Sequence, residues 1–359
     1  LTTRRAFLAG ATAALSLPVA GWAEVGDPAF LSAARQASGA YALYGLSAGG
    51  EVRFSLPLPA RGHAAAAHPH RAEAVAFARR PGFFALVIDC RDGRVLAQLD
   101  APSGRHFYGH GVFSRDGALL FTTENDLETL EGRIGIWDAA NGYARIGDIP
   151  SGGIGPHDIA RLPDSDLLVI ANGGIATHPD SGRMPLNSAS MRGNLAYISA
   201  DGALVERVEL DIGLRQNSIR HLSLRADGLV AAAMQWEGSA GRFPPLLLTH
   251  RLGDAPRLLG APEGEQRRMR NYAGSVGFSR DGQFLAITSP RGGQLHRFDA
   301  ATGDFLSATA MEDVCGLAAT AQGFLVTTGL GHVAQLADEP LTVTRLAGVA
   351  WDNHLIAIG

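Results

Sequence analysis

The sequence predicts an all-β fold, a seven-bladed β-propeller closed by strands from both ends of the chain. Three observations carry that expectation. A short segment recurs: Gly109-His110-Gly111-Val112-Phe113-Ser114-Arg115-Asp116-Gly117 aligns with Gly274-Ser275-Val276-Gly277-Phe278-Ser279-Arg280-Asp281-Gly282, and His221 reaches Ala226-Asp227-Gly228 over the same length. Each copy then enters an apolar run, Ala118-Leu119-Leu120-Phe121, Leu229-Val230-Ala231-Ala232 or Phe284-Leu285-Ala286-Ile287, which reads as a buried strand after a tight turn. Further strand–turn units follow, such as Ile136-Trp137-Asp138-Ala139-Ala140-Asn141-Gly142 and Arg297-Phe298-Asp299-Ala300-Ala301-Thr302-Gly303. A period of roughly 40 residues with four strands per unit is the signature of propeller blades.

On this reading first strands begin near His63, His110, His157, His221, Ser275, Gly316 and His354, which makes seven units. The last unit supplies one strand around Trp351-Asp352-Asn353-His354 before the sequence ends. Its other three strands are available at 30–35, 40–46 and 51–58, and closure from both termini leaves no open sheet edge. The pairs Asp116-Gly117, Asp227-Gly228 and Asp281-Gly282 read as hairpin turns, not catalytic aspartates. A six-bladed ring with an irregular unit at Cys315 is the alternative architecture.

Composition agrees with one large β domain. The 359 residues are 46% hydrophobic and include 45 glycines, enough apolar surface for a core and enough glycine for many turns. The formal net charge is −4, with no basic stripe, which argues against nucleic acid and anionic lipid as partners.

Residues 1–23 read as a Tat signal peptide. Thr2-Thr3-Arg4-Arg5-Ala6-Phe7-Leu8 matches the twin-arginine pattern, an apolar stretch runs over 6–20, and Gly21-Trp22-Ala23 offers small residues for a peptidase. Cleavage is expected after Ala23, leaving 24–359 as a single periplasmic propeller. A membrane anchor is the competing reading, but the apolar stretch falls short of the roughly 20 residues a spanning helix needs. Cys90 and Cys315 fall in blades that are not neighbours, so two thiols are expected in place of a disulfide.

The functional signal is positional. His63, His110, His157, His221 and His354 open five of the seven innermost strands, and equivalent positions in a propeller surround its axis at one face. Neutral imidazoles facing one space suit Zn, Cu, Fe or Ni. Histidine has an ordinary pKa of about 6.5, and crowding lowers it, so the ring should be neutral and able to donate lone pairs. A structural role, each histidine bonding within its own blade, is the alternative. Loops between second and third strands should share that face, which makes Arg80, Glu124, Asn172, Gln235 and Arg291 candidate contacts to a ligand or cofactor. The insertion over 173–193, with His178, Met184 and Met191, has the length of a lid. His68 and His70 belong to the opposite face, and Cys315 reads as a small buried thiol.

Several motifs carry a resemblance. Asn172-Gly173-Gly174-Ile175, Thr177-His178-Pro179-Asp180-Ser181-Gly182-Arg183, Ser218-Ile219-Arg220-His221-Leu222, Thr288-Ser289-Pro290-Arg291-Gly292-Gly293, Asp313-Val314-Cys315-Gly316 and Trp351-Asp352-Asn353-His354 are its motifs, within a likeness that covers essentially the whole mature chain. Together they resemble an exported bacterial family known as a domain of unknown function. The resemblance implies a Tat leader, a YVTN-like or quinoprotein-like propeller, and partners among imelysin-like periplasmic iron-uptake proteins. A weaker likeness runs to the histidine-ringed copper site of the nitrous-oxide reductase propeller, although Ser275 and Gly316 stand where two ring histidines would be.

The leading expectation is thus a periplasmic protein that binds iron or copper at a histidine-lined channel mouth, in metal acquisition or handling. A propeller enzyme is the second reading, redox or lactonase-like, with Glu124, Asp158 and Asp352 as its carboxylates. The third is an interaction scaffold without metal.

Overall fold

The structure is a computed structural model that describes residues 21–79, 82, 84–182, 184–336 and 342–358. Residues 1–20 of the expected leader, the candidate Arg80, and Arg183 of the insertion lie outside the described residues. Among the described residues, seven antiparallel sheets form the blades of a β-propeller. Blades 1 to 6 each take four consecutive strands and start at Gly62–Ala67, Arg105–Phe113, Pro156–Arg161, Asn217–Leu224, Ser275–Phe278 and Val314–Thr320. Blade 7 joins Phe30–Gln36, Tyr41–Leu46 and Val52–Leu58 to the C-terminal strands Val349–Trp351 and Ile356–Ala357, both of which pair with Phe30–Gln36. The ring therefore closes as the sequence predicts. The unit at Cys315 is a regular four-stranded blade, which removes the six-bladed alternative.

Inner strands and outer strands are built from different residues for a physical reason. A second strand such as Val230–Trp236 is buried along its whole length, because neighbouring blades cover both of its faces. A fourth strand such as Val95–Asp100 lies at the rim and keeps mostly exposed positions. The core sits between blades: Val169, Leu195 and Tyr197 of blade 3 pack against Ile219, Val230 and Met234 of blade 4. Each such aliphatic side chain contributes roughly 1.5–3 kcal/mol on burial.

The Asp-Gly turns behave as turns. Gly117 and Gly282 hold φ of +74° and +71°, where a side chain would be strained, and Asp116 accepts hydrogen bonds from Ser114 Oγ and Ala118 N at 2.6 and 2.9 Å. The cysteines are buried thiols in blades 1 and 6. Trp22 is buried and donates its Nε1 proton to the His68 carbonyl at 2.9 Å, a contact that a cut after Ala23 would remove. Among the described residues no helix is long and apolar enough to cross a membrane.

Candidate functional site

The five histidines come from blades 7, 1, 2, 3 and 4, which are consecutive around the ring. Most of these innermost strands break register at or beside the histidine. Pairing skips His63 and Ala64 in blade 1, Tyr108 to His110 in blade 2, His157 in blade 3 and Arg220 in blade 4. In blade 7 the histidine lies in the gap between the two C-terminal strands. A bulge inserts extra backbone and re-aims side chains that strict alternation would send to opposite faces. Its effect is plain in blade 4, where the consecutive residues Arg220 and His221 both line the central cavity. The strands do not all open on histidine as the sequence suggests: the blade 2 strand starts at Arg105, and His110 sits at its bulge.

These bulges bring the imidazoles together. Ring centroids lie 4.5 Å apart for His63–His354 and 4.7 Å for each of His110–His354, His157–His221 and His221–His354. His110 is central, within 5.8 Å of the other four. Two groups can each present three nitrogens within 4.8 Å of one another: His63, His110 and His354, and His110, His157 and His221. Gly109 permits this crowding, because at φ +102° its absent Cβ would stand 2.7 Å from His63 Cδ2.

The remaining two blades lack histidine, and for Gly316 the reason is steric. A Cβ there would overlap Thr327 Oγ1 and approach Leu355 Cβ at 3.2 Å. Cys315, next to it, points its thiol at the Thr327 and Asp352 carbonyls, and burial pushes that thiol up to about 12. It is not a thiolate.

Two carboxylates reach across blade boundaries to orient the ring. Asp158, next to His157 in blade 3, lies 2.9 Å from His110 Nδ1 of blade 2 and accepts Leu222 N of blade 4. Asp352 of blade 7 stands 3.6 Å from His63 Nδ1 of blade 1 and is held by Arg61 and Arg79 at 2.7 and 3.2 Å. Burial pushes the Asp158 carboxyl up, but the adjoining His110 imidazole outweighs it and keeps the group below the usual carboxylate range. Burial lowers His63 to about 4 and holds His157, His221 and His354 well below the ordinary histidine value. These four imidazoles are thus neutral near pH 7, with lone pairs available. Among the described residues, His110 Nε2, His157 Nδ1 and His221 Nδ1 are buried without a hydrogen-bond partner. Leaving such atoms unmatched costs about 1–3 kcal/mol each, unless something else binds them.

A cavity of about 240 Å³ opens over His63, His157 and His221. Gln235 and Arg291 line it, on the face where second-to-third-strand loops were expected. Glu124 and Asn172 do not line it. Glu124 is fully buried within blade 2, gripped by Arg145 at 2.6 and 3.0 Å. Asn172 is spent on Ser151 and Asn194, with contacts of 2.8 to 2.9 Å. Both are fastenings between strands and loops. Replacing Glu124 with alanine leaves a void and reduces Arg145 to its weaker contact with Asp148 at 3.3 Å, and should cost about 3 kcal/mol in urea unfolding, with ligand binding at the ring unchanged.

The insertion over 173–193 forms one wall through Ile175, Thr177 and Pro185 and is pinned by Asn187, which bonds Ala176 N and Gly174 O. Met191 is buried, and Met184 is exposed. Sequence reasoning missed the roles of Arg79 and Arg220 in the cavity wall. The signal lay in Arg220 preceding His221, legible only once the bulge is known.

No curated protein matches the chain by sequence. Among solved structures, a Kuenenia stuttgartiensis hydrazine synthase chain superposes with a TM-score of 0.59 at 14% identity, covering 94% of this chain and 100% of its own. A functionally unknown protein from Desulfotomaculum acetoxidans gives 0.62 at 13% identity, over 92% and 99%. Identities this low speak to the propeller fold alone. The profile described as "Protein of unknown function (DUF1513)" matches residues 56–358, well over half of the chain, and the chain therefore belongs to the DUF1513 family.

Proposed function

We propose that this propeller binds a transition-metal ion, copper or iron, on the imidazole ring at its channel mouth, and serves metal acquisition or handling in the periplasm. The observation that carries the reading is the His354 Nε2···His63 Nε2 separation of 3.3 Å inside a five-histidine cluster. Two nitrogens bound tetrahedrally at about 2.0–2.1 Å from one ion lie about 3.3–3.4 Å apart. Neutral, buried, partly unmatched imidazoles with carboxylates behind them are the chemistry of a metal-ligand set and its supporting shell. With no thiolate among the described candidates, the donor set favours Cu(II) over Zn(II) and Fe(II) in affinity. Tat export and work beside imelysin-like proteins belong to the same reading.

Competition titration of the metal-free chain against a chelator of known affinity tests it. One ion per chain should bind, with Cu(II) tighter than Zn(II) and Fe(II). Failure of all three ions to compete would sink the proposal.

A further inference from the structure

Positive charge predominates on the walls of the cavity above the ring. Arg79, Arg220 and Arg291 form its walls, and among its described lining residues Glu237 is the one carboxylate. These guanidinium groups are held in place. Arg79 leans on Asp352 at 3.2 Å, Arg220 on Glu237 at 3.3 Å, and Arg291 stacks on Tyr272 with 4.4 Å from Cζ to the ring centroid. The imidazoles carry no negative charge, and the carboxylates behind them are already engaged, Asp158 with His110 and Asp352 with Arg61 and Arg79. A divalent ion bound there keeps both its charges and faces three guanidinium groups across a confined space, where charge interactions are stronger than in water. Asp352 and Glu237 answer Arg79 and Arg220, but among the described residues Arg291 pairs with no carboxylate, which leaves the walls net positive toward such an ion.

We infer that the cavity holds a small oxyanion, a carboxylate or a phosphate, gripped by Arg79, Arg220 and Arg291 and placed beside the ring-bound ion. This rests on the metal reading above and names what accompanies the metal. Arginine's planar fork matches the oxygen pairs of both anions, and it stays charged at every working pH. The volume of about 240 Å³ lies below the roughly 300–1,000 Å³ of pockets for drug-sized ligands, so the anion is small. Gln235 and Asn353, also on the lining, supply neutral donors for its remaining oxygens. An ion carried as a small polycarboxylate or phosphate complex would satisfy ring and walls together.

Equilibrium dialysis of the copper-loaded full chain against radiolabelled citrate, and separately against inorganic phosphate, tests the inference. The wild type should retain about one equivalent of at least one of them. The Arg220→Gln/Arg291→Gln variant should bind it at least tenfold more weakly while keeping its copper. Arg291→Gln alone, at an exposed position, should show a several-fold loss without disturbing the fold. Which anion is retained distinguishes a carboxylate carrier from phosphate. Copper bound with neither anion retained, or retention equal in variant and wild type, would overturn the anion site and leave the metal reading standing. A chain that takes no copper, yet holds the anion through the two arginines, would sink the metal reading and keep the anion site.

Discussion

Replacing His110 with alanine should lower copper affinity at least a hundredfold. His110 is the one imidazole common to both three-histidine groups, so its loss leaves neither with three nitrogens. Asp158 engages its Nδ1, which leaves Nε2 as the ligand atom and prevents the ring from bridging two ions. Outer carboxylate partners alone are worth 10–100-fold in metal affinity, and removal of the ligand itself should exceed that. His70→Ala is the matching control, because His70 is exposed and belongs to the opposite face. Competition titration of the two variants reads the difference directly. Equal affinities for both would remove the ring from the account.

The second large effect is on stability in mild acid. The unfolded chain takes up protons on its histidines near pH 6.5. In the folded, metal-free chain His63 does so only near about 4, and His157, His221 and His354 are depressed in the same direction by burial. Between those limits the unfolded state binds more protons, so stability falls as pH drops through the window and recovers as it rises. For His63 alone the depression corresponds to about 3 kcal/mol. His68 and His296, also lowered to about 4 by burial, act outside the ring. The share of His63 is therefore the difference between wild type and His63→Gln. Denaturant midpoints at pH 7, 6 and 5 should fall more steeply for the wild type. Parallel curves would mean that His63 is already solvated or charged in the fold.

Much of the architecture was legible because a propeller repeats. The shared Asp-Gly turns place three of the blades, and the C-terminal strand expected around Trp351 takes its partners from the N-terminus. The convergence of five histidines follows from the same equivalence, since matching positions in different blades meet at the axis. What the sequence did not disclose depends on contacts between segments. Glu124 looks like a loop carboxylate until Arg145, from the fourth strand of its blade, takes both its oxygens. Asn172 looks like a ligand until Ser151 and Asn194 occupy its amide. Asp158 and Asp352 orient histidines of adjacent blades, a relation with no mark in local spacing. The bulges are likewise properties of pairing register, and they decide that Arg220 and His221 share one cavity.

The central claim is that imidazoles from five blades surround one ion. X-ray absorption at the copper and iron edges, on protein exported by its native host, tests it most directly. The expected result is one ion per chain with three or four nitrogen neighbours at about 2.0 Å, imidazole scattering beyond them and no sulfur. A metal-free protein, or a sulfur-ligated ion without imidazole scattering, would contradict it.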